Sequence, residues 1–187
     1  MKALIVLLLS FSFLACWKSE NKPEKVDPIQ PLFEANKNLI ENIKSGKVGF
    51  PEYQKMNENF QNAFAKRSTA IKHDSGLMYE ILRKGNGKSP KSKSRVKVHY
   101  KVLLIDGTQM DSSYEREKKA ELELVRMIPA WSIGLPLMKE GGKYRLVSPP
   151  SLAYKDNSDG RIPANSTLVF EIELFDVLRD GPEAPIK

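Results

Sequence analysis

The chain has 187 residues and is 41% hydrophobic and 28% charged, values that suit one globular domain with additional segments. Thirty Lys and Arg against 23 Asp and Glu give a net charge of +7, but no basic helix or aromatic-basic motif accompanies it, which argues against nucleic-acid binding. A single cysteine excludes an intrachain disulfide, and His73, His99 and Cys16 have no zinc-ligand spacing, so a metal enzyme is not expected and no cofactor is implied.

Residues 1–15 read as a signal peptide. Met1-Lys2 supplies a positive start, and Ala3 to Ala15 is apolar apart from Ser10 and Ser12. The run is shorter than the roughly 20 residues a membrane-crossing helix needs. It ends in Phe13-Leu14-Ala15-Cys16, which resembles a bacterial lipobox and marks Cys16 for lipidation. Residues 16–30 are polar and rich in Lys, Glu and Pro, the composition of a lipidated tether that would hold the protein to a membrane without spanning it.

Residues 31–73 form a helical region. Leu32, Phe33, Leu39, Ile40 and Ile43 share one face before Gly46, and Tyr53, Met56, Phe60, Ala63 and Phe64 recur at helical steps after Pro51. Two amphipathic helices are predicted. They either pack on themselves or on the following domain, or serve as a homodimer element.

Beyond Ser75-Gly76 the period falls to two. Leu77, Tyr79 and Ile81 alternate, then Val96, Val98, Tyr100, Val102 and Leu104, then Leu122 with Leu124, Tyr144 with Leu146, and Leu168 through Leu174. Ile128 to Lys139 carries Trp131, Leu135 and Met138 at helical spacing, so five strands and one helix make an α+β domain over residues 74–178, with a tail at 179–187. Gly87-Lys88-Ser89 imitates the end of a phosphate-binding loop, but Leu82 occupies the position where that loop needs glycine.

Four stretches occur in an order that resembles the FKBP-type peptidyl-prolyl cis-trans isomerases. They are Val98-His99-Tyr100; Asp106 to Ser113; Ile128-Pro129-Ala130-Trp131 leading to Met138 to Gly142; and Leu152-Ala153-Tyr154 with Ile162 to Phe170. Joined to the lipobox, they look like the macrophage-infectivity-potentiator branch. The resemblance implies a twisted antiparallel β-sheet wrapped around one α-helix, with a prolyl pocket between them.

Carried over residue by residue, Tyr100, Asp111, Trp131, Tyr154 and Phe170 would be the catalytic set, with Trp131 as the floor under the proline ring and Phe170 on the wall. Met110, Met127, Ile128 and Ile162 would line the substrate, Arg116 would hold Asp111, and the backbone N–H of Ile128 would bind a carbonyl. Proline-containing polypeptides and macrolide inhibitors are the implied partners, and the cell envelope the implied location. Met110 stands where the family commonly has phenylalanine, and Lys155 where it has glycine. These departures keep open an alternative: a chaperone or surface peptide-binding lipoprotein with little isomerase activity.

The residue types fit the chemistry. Rotation about a peptide bond must break amide resonance worth about 18–20 kcal/mol, and no nucleophile is needed. An apolar, water-poor pocket favours the twisted amide, whose carbonyl has lost dipolar character.

Overall fold

The computed structural model describes residues 27–157 and 161–179. The signal peptide, the lipobox with Cys16, most of the tether and the tail after Arg179 lie outside the described residues.

Three helices come first: α1 (Gln30–Glu34), α2 (Leu39–Lys44) and α3 (Phe50–Ala65). The first predicted helix is therefore two. Asn38 has a left-handed backbone, φ 62°, which ends any continuous helix between Phe33 and Leu39 and is tolerated best by Gly, Asn or Asp.

Seven strands follow: β1 (Ile71–Lys72), β2 (Met78–Arg83), β3 (Arg95–Leu103), β4 (Gln109–Ser112), β5 (Ala120–Glu123), β6 (Lys143–Ser148) and β7 (Leu168–Arg179). All pair antiparallel in the order β1-β2-β6-β7-β3-β4, with β5 also on β3. The predicted strand at Leu122-Leu124 ends one residue early, because Leu124–Arg126 is a 3-10 turn. The helix expected over Ile128–Lys139 is one and a half turns, α4 (Pro129–Gly134), continued by a 3-10 turn at Leu135–Leu137. Pro136 lacks the N–H that an α-helix would use there.

The sheet has two differently covered faces. On the inner face, Tyr100 and Val102 of β3 pair with Ile172 and Phe170 of β7, which pair in turn with Tyr144 and Leu146 of β6. Paired residues point the same way, so these side chains form one apolar surface, and α4 lies across it with Trp131 and Leu135 buried. The approach is close enough that a Cβ on Gly134 would meet Leu146 at 2.5 Å. The expected α+β architecture, an antiparallel sheet wrapped around one helix, is the one found.

On the outer face the row Met78, Val147, Val169 and Leu103 crosses β2, β6, β7 and β3 and is buried. Phe33, Leu39, Tyr53, Phe60 and Phe64 cover it, joined by Ile29. The helical region thus packs on the domain that follows through Phe33, Leu39, Tyr53, Phe60 and Phe64, while Leu32, Ile43 and Met56 stay half-buried.

A second outer row is ionic. Glu80, Arg145 and Glu171 are cross-strand neighbours on β2, β6 and β7. The Arg145 guanidinium, 1% exposed, donates to Glu80 at 3.1 Å and Glu171 at 2.6 Å, and also bonds Asp27. Arg67 donates to Glu80 at 2.7 Å and to the Pro28 carbonyl. The end of the stretch assigned to the tether is therefore packed: Asp27 is in this ion network and Ile29 is 1% exposed. Composition over fifteen residues does not reveal one buried isoleucine beside one paired aspartate.

Candidate active site

β3 and β4 set the first edge of the site. Val102 pairs with Asp111 and Leu103 with Gln109, so the register shift leaves Met110 as an extra, bulged residue. A bulge re-aims side chains. Met110 accordingly packs against the inner cluster while Asp111 stays on the Tyr100 side of the sheet.

Pro129 opens α4 and places Trp131 in its first turn, 2% exposed. Tyr100 meets the indole edge-on with centroids 5.1 Å apart, and Phe170 does so at 5.8 Å. Aromatic quadrupoles favour such edge-to-face contacts. Met110, Met127 and Ile128 are half-buried against the same cluster, and Ile162 is a buried member of it. The backbone N–H of Ile128 makes no hydrogen bond among the described residues, while its carbonyl accepts from Trp131.

The polar edge is a closed triad. The Tyr100 hydroxyl donates to Asp111 at 2.7 Å, and Arg116 donates to Asp111 at 2.5 Å and to the Tyr100 oxygen at 2.7 Å. The guanidinium also lies 5.6 Å from the Tyr100 ring centre. Burial works to raise the Asp111 pKa, but the Tyr100 hydrogen bond and the Arg116 charge outweigh it and hold the carboxyl below its ordinary value of 3.8. Burial and Asp111 push the Tyr100 hydroxyl upward, so it remains a proton donor. Tyr100 and Arg116 thus hold Asp111 in place and favour its ionised form.

Nine of the ten residues singled out for catalysis or binding are brought together in this way. Tyr154 differs: it follows the 3-10 turn Pro150–Leu152 on a loop, is 45% exposed, and is not a member of the apolar cluster. Its neighbour Lys155 has φ 56°, the left-handed region, which glycine adopts more easily than lysine. Lys155→Gly is expected to raise stability by about 0.5–1 kcal/mol in urea unfolding, since a non-glycine residue is strained there by about 1–2 kcal/mol. A loss of stability would contradict that reading.

Tyr53, Asn57, Gln61, Ser166 and Thr167, none of them expected to bear on the site, join α3 to the segment that follows Ile162. The available signal was Asn57. It occupies a core-facing position in the stripe Tyr53, Asn57, Phe60, Phe64, where a polar residue requires a partner.

Comparison with known proteins is decisive on the family. The profile described as FKBP-type peptidyl-prolyl cis-trans isomerase matches residues 86–175. The chain is 32% identical to AtFKBP13 over 98% of that solved chain and 58% of its own length, with a TM-score of 0.54. This protein belongs to the FKBP family. The FKBP-type peptidyl-prolyl cis-trans isomerase FkpA of Escherichia coli (strain K12) is 37% identical to it over 170 residues, 91% of this chain and 62% of that one. FkpA of Aeromonas hydrophila is 37% identical over 164 residues, 86% and 61% of the two chains. The crystal structure of FkpA from Escherichia coli superposes with a TM-score of 0.67 at 39% identity, covering 71% of this FKBP chain and 62% of that one. The chain therefore spans about three fifths of the length of the curated relatives it matches.

Proposed function

We propose that this protein is a peptidyl-prolyl cis-trans isomerase that rotates Xaa–Pro bonds in exported polypeptides. The observation that carries this is Trp131, buried beneath the edges of Tyr100 and Phe170 and bordered by the Tyr100–Asp111–Arg116 triad. A proline ring entering over the indole would leave water, and its amide carbonyl would face fixed dipoles in place of solvent. The Ile128 N–H supplies a donor for a flanking carbonyl, which orients the chain around the bond being twisted. No proton is transferred, so the depressed Asp111 pKa predicts a rate that does not vary with pH above about 5.

The test is a protease-free isomerisation assay on the full chain with Ala-Xaa-Pro-Phe peptides, wild type beside Asp111→Ala, and a macrolide competitor. Acceleration that falls in the variant and is blocked by the macrolide supports the proposal. No acceleration with macrolide still bound would favour the second reading, a peptide-holding module. Met110 in the wall favours that reading, since its flexible side chain defines a pocket less sharply than phenylalanine.

The lipid anchor and envelope location belong to the same proposal and rest on Phe13-Leu14-Ala15-Cys16. Palmitate labelling of wild type and Cys16→Ser tests them: equal label in both removes the anchor at Cys16. A homodimer through residues 31–73 would use the apolar side chains these helices leave half-buried, Leu32, Ile43 and Met56.

A further inference from the structure

The outer-face helix α3 is not joined to the domain by apolar contacts alone. Tyr53, Asn57 and Gln61 fall at four-residue steps and form one stripe along it. The Asn57 side-chain oxygen accepts the Thr167 backbone N–H at 2.7 Å, and Gln61 donates to the Thr167 hydroxyl at 2.8 Å. The Tyr53 hydroxyl lies 2.6 Å from Ser166 Oγ. Ser166 Oγ donates its own proton to the Pro163 carbonyl at 2.5 Å, so the Tyr53 hydroxyl is the donor in their pair. Asn57 is itself held by a bond from its side-chain amide to the Tyr53 carbonyl at 2.8 Å.

Tyr53, Asn57, Ser166 and Thr167 are all at least 95% buried. A helix that only covered apolar surface would be expected to use apolar residues throughout, as Phe60 and Phe64 do. Burying Tyr53 and Asn57 is costly unless each is satisfied, and each is, by Ser166 and Thr167, with half-buried Gln61 adding a third bond to them. Ser166 and Thr167 follow Ile162 in the chain and immediately precede β7, whose third residue is Phe170. The Asn165 N–H in turn donates to the Lys155 carbonyl at 2.6 Å, next to Tyr154.

We propose that Tyr53, Asn57 and Gln61 are positioning residues for the prolyl site, through which α3 sets the Ile162 wall and the backbone beside Tyr154. This rests on the isomerase reading above. The chain is thus an FKBP domain whose pocket geometry is conditioned by a helix on the opposite face of the sheet. None of the three touches substrate, and their effect should appear as substrate affinity rather than as the rate of the bound complex.

The test compares full-chain wild type with Tyr53→Phe, Asn57→Ala, Ser166→Ala, the double variant Tyr53→Phe/Ser166→Ala, and Lys55→Gln on the exposed face of α3 as control. Two quantities are read: amide hydrogen exchange at Asn165 and Thr167, and kcat and KM for Ala-Xaa-Pro-Phe peptides. Exchange at both amides should quicken, and KM should rise about fivefold with kcat unchanged, the effect of losing one buried hydrogen bond. The double variant should be no worse than Ser166→Ala, and the control should match wild type. Tyr53→Phe is nearly isosteric, so its fold is expected to survive, and thermal unfolding checks this. Unchanged exchange overturns the proposal, and so does quicker exchange with an unchanged KM, which would leave α3 a structural cover. If wild type turned over no peptide, the isomerase reading would fall by itself. The coupling would then be read from calorimetric Kd values for the same peptides, and equal values for wild type and Tyr53→Phe would overturn it.

Discussion

Arg145→Met is expected to cost about 3–5 kcal/mol of stability, the usual penalty for removing one partner of a buried ion pair. The guanidinium is 1% exposed and answers Glu80, itself 2% exposed, together with Glu171 and Asp27. Methionine fills much of the volume but leaves Glu80 with only Arg67 and Thr69, and it releases Asp27 from the outer face. For a domain of this size the loss corresponds to a fall in Tm of about 10 °C. Urea unfolding of both proteins measures it, and a change below about 1 kcal/mol would show that Arg67 alone suffices.

The pH dependence gives an independent check. Burial tends to raise the Glu80 and Asp27 pKa values, but their hydrogen bonds and the neighbouring arginines hold both below the ordinary 4.5 and 3.8. Each carboxylate binds protons more readily in the unfolded chain. Its contribution is therefore fully present above the unfolded value and is lost as pH falls through the lower folded one. Wild type and Arg145→Met should differ most near neutral pH and converge in acid. A difference that grew as pH fell would reverse the assignment.

Trp131→Leu is expected to lower kcat/KM by about 10- to 100-fold, equivalent to about 1.4–2.7 kcal/mol of transition-state stabilisation. Leucine keeps α4 apolar but removes the flat surface that Tyr100 and Phe170 meet edge-on, and with it the floor of the water-poor site. Stability should also drop, by about 2–3 kcal/mol, because a smaller side chain leaves a cavity. The two effects separate when the assay is run well below the variant's Tm. A kcat/KM within twofold of wild type would remove Trp131 from the site and with it the main support for the proposed activity.

Much of the inner half of the molecule is legible in the residues. Val96, Val98, Tyr100 and Val102 alternate because one face of β3 is buried, and the same period exposes β2, β6 and β7. Trp131, Leu135 and Met138 share a helical face because they cover that sheet. The Tyr100, Asp111 and Trp131 positions follow from the family resemblance, and the structure brings them to one place. β1 and β4 escape notice because two residues, and four mostly polar ones at a sheet edge, carry no period to read.

Local pattern thus determined five of the seven strands and the covering helix, since each depends on side chains a few residues apart, and the order of four motif stretches determined the family. Only the tertiary structure decided the outer face. By alternation Arg145, between buried Tyr144 and Leu146, belongs to the face away from the inner core, which in a one-sided sheet is the solvent side. It is buried because segments from more than 60 residues away, at Asp27, Pro28 and Arg67, close over it. Tyr53 and Asn57 likewise read as helix-face residues, and their partners Ser166 and Thr167 lie more than 100 residues along the chain. Hydrogen bonds and ion pairs between such distant segments leave no periodic trace, because each is satisfied by one particular partner and not by a surface.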